Sequence, residues 1–281
     1  MKALSSSFLP GFRLIRAGLA LLTVASLLAG CATQKQVREI VGQSDLATVS
    51  AAAGLNPTQP GAADWREASA KIEAFIAAHP DNPVTIAALR VRQAVMLLHH
   101  QQLQLAQAAF SEAPMDQLKT ARDRALKRLE QPLVWYYGAA DRDWTDADLE
   151  AARKALTELE ARWNELDATT DGGMRDFLAG LRAMVGVKLA ANTSGADPAR
   201  AQLESALNTY TGMLPPGETQ RWSTEPWPPA NLQRSDPAPV EIRRRFEAEA
   251  IIEAARAAMQ QNQIPPPAGV TNAWLRGRLA L

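Results

Sequence analysis

The chain has 281 residues, 47% of them hydrophobic, with 30 Lys plus Arg, 30 Asp plus Glu and a single cysteine. This charge balance leaves no electrostatic footprint for nucleic acid. The apolar share is too high for disorder, and the lone cysteine excludes an intrachain disulfide, so stability must come from packing.

The first 30 residues have the three parts of an export signal: basic Lys2, Arg13 and Arg16, an apolar run from Ala17 to Leu28, and small residues before Cys31. Ala17 to Gly30 supplies 14 residues, short of the roughly 20 that a spanning helix needs. A retained membrane helix is therefore the second reading. Leu28-Ala29-Gly30-Cys31 resembles a bacterial lipobox. In that family a signal peptidase cuts before the cysteine, the sulfur carries a diacylglycerol, and the new amino terminus is usually acylated. The resemblance implies that residues 1–30 are removed and that Cys31 is the lipid anchor to a membrane. Ala32, where an aspartate would stand for retention, resembles sorting to the outer membrane with the body facing the periplasm. Without residues 1–30 the chain keeps 27 basic and 30 acidic residues, a net charge of −3. About 250 residues then remain, suiting one or two domains of ordinary size.

Residues 31–63 read as a lipidated cysteine and tether, with a short helix from about Gln36 to Ala53 and a flexible break at Asn56 to Gly61. The body opens at Asp64, an N-cap with Glu67 three residues on as in a capping box. Trp65, Ala68, Ile72, Phe75 and Ile76 share one face. Pro80 stops that helix near His79. Asn82 and Pro83 start the next, and so short a turn makes the pair antiparallel.

The run from Trp65 to Ala113, with Ile72, Phe75, His79-Pro80-Asp81-Asn82-Pro83, Ala87, Ala88, Leu89, Ala106 and Phe110, resembles the tetratricopeptide-type helical hairpins of bacterial envelope lipoproteins. There small residues let paired helices approach closely. The resemblance implies antiparallel hairpins and a role in binding proteins. It is one of hairpin style, since no clean 34-residue recurrence runs through the chain.

His99-His100-Gln101-Gln102 is either a turn or the polar face of one long helix. Adjacent histidines point about 100° apart on a helix, so they make a poor chelating pair and no metal is assigned. A helix over Asp116 to Gln131 is expected to end at Pro132, with Leu133 to Tyr137 as a buried helical continuation or connector. The best-specified helix runs from Asp146 to about Leu166. Thr145 is its cap, Asp148 completes a capping box, Trp144 and Leu149 form a staple, and Leu149, Ala152, Leu156, Leu159, Trp163 and Leu166 make an apolar seam. Met174 to Ala191 reads as the central core helix, where Gly180 and Gly186 mark close approach of another helix. Asp197 and Pro198 open a helix to Met213.

Residues 214–240 hold seven prolines and two tryptophans. Trp222 and Trp227 there offer an exposed docking surface for a partner, or plug gaps between helices while the loop wraps the body. The last long helix spans Val240 to Gln261, with Arg243, Arg244 and Arg245 on its wet face. Trp274, Leu275 and Leu279 dock as a final turn.

The chemistry-bearing motifs are few. No Gly-x-Ser-x-Gly, phosphate loop or metal motif occurs. Glu204-Ser205-Ala206-Leu207-Asn208 resembles the Glu-Ser start of soluble lytic transglycosylases. There a glutamate is general acid and base for the glycosidic bond. Thr211-Gly212-Met213-Leu214 stands where that family has Gly-Leu-Met-Gln.

The expectation is therefore an all-α protein of antiparallel hairpins, tetratricopeptide-like or an irregular bundle. Its segments are a signal (1–30), a tether (31–63), a hairpin domain (64–213), a Pro/Trp loop (214–240) and a C-terminal helix and tail (241–281). It is a lipid-anchored scaffold or adaptor for other envelope proteins, with no cofactor and no catalytic residue assigned. The alternative is a peptidoglycan-acting enzyme using Glu204.

Overall fold

The computed structural model describes residues 33–48, 63–139, 142–224 and 240–280, and among these every regular element is helical. Cys31 and Trp227 lie outside the described residues.

The first helix (α1, 33–48) is docked, which corrects the tether reading for those residues. Its Val37, Ile40 and Val41 pack with Ile72, Phe75, Ile76 and Leu89, and Ala47 packs with Ala68 and Met96. Asp45 pairs with Arg92, and the Ala47 carbonyl lies 3.0 Å from His100 Nε2. The weak apolar pattern between Val37 and Val49 was enough to bury one stripe of a helix.

α2 (Trp65–Ala78) and α3 (Pro83–His99) form the antiparallel hairpin expected from the His79 to Pro83 turn. Asp64 caps α2 by accepting from the Arg66 N–H at 2.8 Å, while Glu67 pairs with Lys71 at 2.8 Å instead of closing a capping box. Arg90 on α3 clamps Glu73 of α2 and reaches Glu112 at 2.7 Å. Gln101 at φ 58° turns the chain into α4 (Leu103–Ser111), so His99 to Gln102 is a turn between helices.

A 3-10 turn (Met115–Gln117) leads to α5 (Ala121–Arg128) and α6 (Glu130–Ala139). Pro132 does not terminate a helix. It sits in the first turn of α6, where a missing N–H costs nothing because those donors have no intrahelical partner. Leu133 to Tyr137 are helical, which selects the helical continuation over a connector.

α7 (Asp146–Glu165) carries the full capping box at Thr145 and Asp148. α8 (Gly172–Ala191) then divides the core by its two faces. Met174, Leu178, Leu181, Val185 and Leu189 join the core built from α3 to α7, while Ala179, Ala183, Val187 and Ala190 join a second core with α9 (Ala196–Met213) and the C-terminal helices. The second face consists of small residues because α9 comes very close. A Cβ at Gly186 would stand 2.7 Å from the Ala206 Cβ of α9, while one at Gly180 would meet only the carboxylate end of Glu247 from the later helix Val240–Gln261. Glycine is what allows that approach.

The 214–240 segment is not wholly a loop. Gly217 at φ 79° lets the chain turn from Pro215 and Pro216 into α10 (Glu218–Thr224). α11 (Val240–Gln261) packs along α8 and buries Ala248, Ile251, Ile252 and Ala255, and α12 (Ala273–Leu279) closes the second core through Leu275 and Leu279. The C-terminal helices thus complete a core begun by α8 and α9, across the expected boundary at 213.

Candidate functional site

The C-terminal corner gathers many polar and charged side chains, and the cap of α12 together with a set of ion pairs holds it together. The Asn272 side chain accepts the Leu275 N–H at 3.0 Å, starting α12, and donates to Thr219 Oγ1 of α10 at 2.8 Å. Arg244 of α11 reaches Asp176 of α8 at 2.9 Å and Glu218 of α10 at 3.2 Å, and Arg221 meets the same Glu218 at 2.8 Å. The Arg244 and Glu218 side chains are only 10% and 8% exposed. Charges so buried hold only when paired.

Arg244 and Arg245 are therefore not a wet face, and the reason is helical register. Arg244 lies on the stripe of Ala248, Ile251, Ile252 and Ala255, and that stripe faces α8. The spacing was available in the sequence, although it was masked by the charge of three consecutive arginines.

Beside this network is a cleft of about 470 Å³ between α10, α11 and α12, lined by Trp222, Ser223, Arg245, Glu249, Trp274 and Arg278. Arg278 pairs with Glu249 across it. Trp222 is 2% exposed, its ring centroid 5.0 Å from that of Trp274 at 60°. Trp222 therefore fills a gap and presents no exposed docking ring, because its area is worth more against Trp274 than in water. The lining side chains are largely engaged with one another, Arg278 with Glu249 and Trp222 with Trp274. They offer no activated nucleophile: Ser223 Oγ donates back along its own helix to the Thr219 carbonyl at 3.0 Å.

Glu204 lies away from that cleft, on α9. Its Oε1 accepts the Gly269 N–H at 2.9 Å, and Asn208, one turn on, donates to the Gly269 carbonyl at 2.9 Å and accepts from the Thr271 N–H at 2.9 Å. Glu204 and Asn208 together clasp the segment leading into α12. The Glu-Ser string thus has a structural use that local sequence could not reveal, since its partner lies 65 residues downstream.

The two histidines diverge. His99 Nε2 lies 2.9 Å from the Tyr137 hydroxyl and its ring stands 6.3 Å from Phe177, so it joins α3, α6 and α8, whereas His100 turns toward α1. Burial, helped by the neighbouring His100, lowers the His99 pKa to about 4, and burial raises the Tyr137 hydroxyl far above its ordinary value. The packing of His99 against Tyr137 was not legible from the polar quartet around it.

Asp148 is the most heavily bonded side chain. It receives Arg142 at 2.6 and 2.7 Å, the Trp135 indole N–H at 3.0 Å and the Thr145 N–H at 2.9 Å. The Arg142 bonds, then those from Thr145, hold its carboxyl well below the usual carboxylate range. It acts as a joint between α6 and α7.

Among the described residues no helix is long and apolar enough to cross a membrane, and no three His, Cys, Asp or Glu side chains gather as a metal-sized group. No family model, no curated protein and no solved structure matches the chain.

Proposed function

We propose that this is a lipid-anchored protein of the bacterial cell envelope, held to the outer membrane through Cys31 and facing the periplasm, where its helical body is a scaffold or adaptor for other envelope proteins. The observation that carries the reading is the order of parts in the sequence. A basic and apolar leader is followed by Leu28-Ala29-Gly30-Cys31, and a helix that packs on the body begins within two residues of that cysteine. The hairpin style of α2 to α4 favours the adaptor role, as helical hairpins present broad side-chain surfaces without needing a catalytic centre.

The test has two parts. Growth with a labelled fatty acid should mark the wild-type chain and leave the Cys31→Ala variant unlabelled and released from the membrane fraction. Crosslinking in cells followed by purification should then recover defined envelope proteins with the wild type. Equal fractionation of both forms with no label would refute the anchor, and wild-type protein recovered alone would refute the adaptor role.

A further inference from the structure

We propose that the body does not stand off on a spacer but rests against the bilayer by one defined end: the α2–α3 turn together with the 3-10 turn at Met115–Gln117. This rests on the lipid-anchor reading of Cys31. The anchor's position follows from the register of α1, which runs parallel to α3. Ile40 clusters with Leu89, Asp45 pairs with Arg92, and Ala47 clusters with Met96, so positions along α1 and α3 rise together. Carried back from Ile40, the same direction sets Thr33 near the start of α3, whose N-cap is Asn82. Two peptides separate Cys31 from Thr33, and together they can span no more than about 8 Å. A lipid on Cys31 therefore enters the membrane beside the α2–α3 turn.

The same end carries apolar surface. α4 retraces α3 in the opposite direction, placing Glu112 beside Arg90 at 2.7 Å, and the 3-10 turn that follows also touches α3, which in that direction leads toward its start. Val84 and Met115, each 37% exposed, therefore both belong to the anchored end. The other exposed large apolar side chains among the described residues, Leu46 at 44% and Leu105 at 51%, lie toward the opposite end of α1 and α3. Exposure alone does not choose between the ends; the anchor does. A tethered chain meets the nearby surface at high effective concentration, which favours the apolar residues at the anchored end over those at the far end.

The lipidated chain purified from membranes gives a direct test, because lipid on Cys31 consumes the only native thiol. Val84→Cys, Met115→Cys, Leu46→Cys and Leu105→Cys are each labelled with a fluorophore. Each is then reconstituted into phosphatidylethanolamine and phosphatidylglycerol vesicles that contain a headgroup nitroxide quencher. Labels at positions 84 and 115 should be quenched and those at 46 and 105 should not. A spacer of about 20 Gly and Ser residues, about 25 Å in r.m.s. length, inserted between Ala32 and Thr33 should abolish the difference. Equal quenching at all four positions, stronger quenching at 46 and 105, or none at any would overturn the orientation while leaving the anchor intact. Mass spectrometry of the same preparation separates the two failures, since a bare thiol at Cys31 removes the anchor and the orientation with it.

Discussion

Trp222 and Trp274 meet with their ring centroids 5.0 Å apart and their planes at 60°, and this contact seats α12 on α10. Trp222 is among the largest fully buried side chains in the molecule. Trp222→Ala should therefore leave a cavity and cost about 3 to 5 kcal/mol of stability. Trp163 is only partly buried, touching both cores under the Arg175 guanidinium, whose carbon lies 3.7 Å from the ring centroid. Trp163→Ala should cost less, about 2 kcal/mol. Urea denaturation of the two variants checks the order, and a larger loss at Trp163 would mean that the seam of α7 outweighs the C-terminal corner.

The close approach of α8 and α9 makes a second prediction. Gly186→Ala must push the Ala206 Cβ, and overpacking of this kind costs about 1 to 3 kcal/mol. Gly173→Ala, where nothing lies within 4 Å of the added carbon, should be neutral or stabilising by about 0.5 kcal/mol. Thermal melts of both show whether space or helix propensity governs. A stable Gly186→Ala would mean that the two helices are further apart than described.

His99 gives a pH dependence whose sign is fixed. Its folded pKa is lowered to about 4, so below the ordinary value near 6.5 the unfolded chain takes up a proton that the native site refuses. Stability from this group is complete above about pH 6.5 and falls as the pH drops toward 4, by up to about 3 kcal/mol. Unfolding titrations at pH 7.5 and pH 5 should differ more for the wild type than for His99→Asn. An identical difference in both would place the pH sensitivity elsewhere.

Glu204 is predicted to be structural. Glu204→Ala should loosen the segment around Gly269 and cost about 1 to 2 kcal/mol, visible as faster hydrogen exchange at Gly269 and Thr271. Glu204→Gln, which keeps an acceptor, should largely restore protection. Peptidoglycan cleavage by the purified protein that vanished in a folded Glu204→Gln variant would replace the adaptor reading with the enzyme.

What could be read in advance was whatever short-range chemistry determines. The cap at Thr145, the proline and asparagine at the α2–α3 turn, and the glycines of α8 each act within one turn or on an adjacent surface, and each stands where expected. What could not be read depends on partners distant in sequence. Arg244 looked solvated until Asp176, 68 residues earlier, and Glu218 supplied opposite charge, and of the two readings of Trp222 only its contact with Trp274 selects the buried one. α1 looked like a spacer because its apolar stripe is thin, and only the hairpin beside it makes that stripe worth burying. The site was less legible than the fold for the same reason: the arginines and tryptophans of the C-terminal corner come from three separate helices.

The account depends most on Cys31. The decisive measurement is the mass of the N-terminal peptide of the protein isolated from its native membrane fraction. The prediction is a chain that begins at Cys31 and carries a diacylglycerol on sulfur together with an acyl group on the amino terminus. A peptide running unbroken from Leu28 through Thr33, or a Cys31 with its thiol bare, would contradict it.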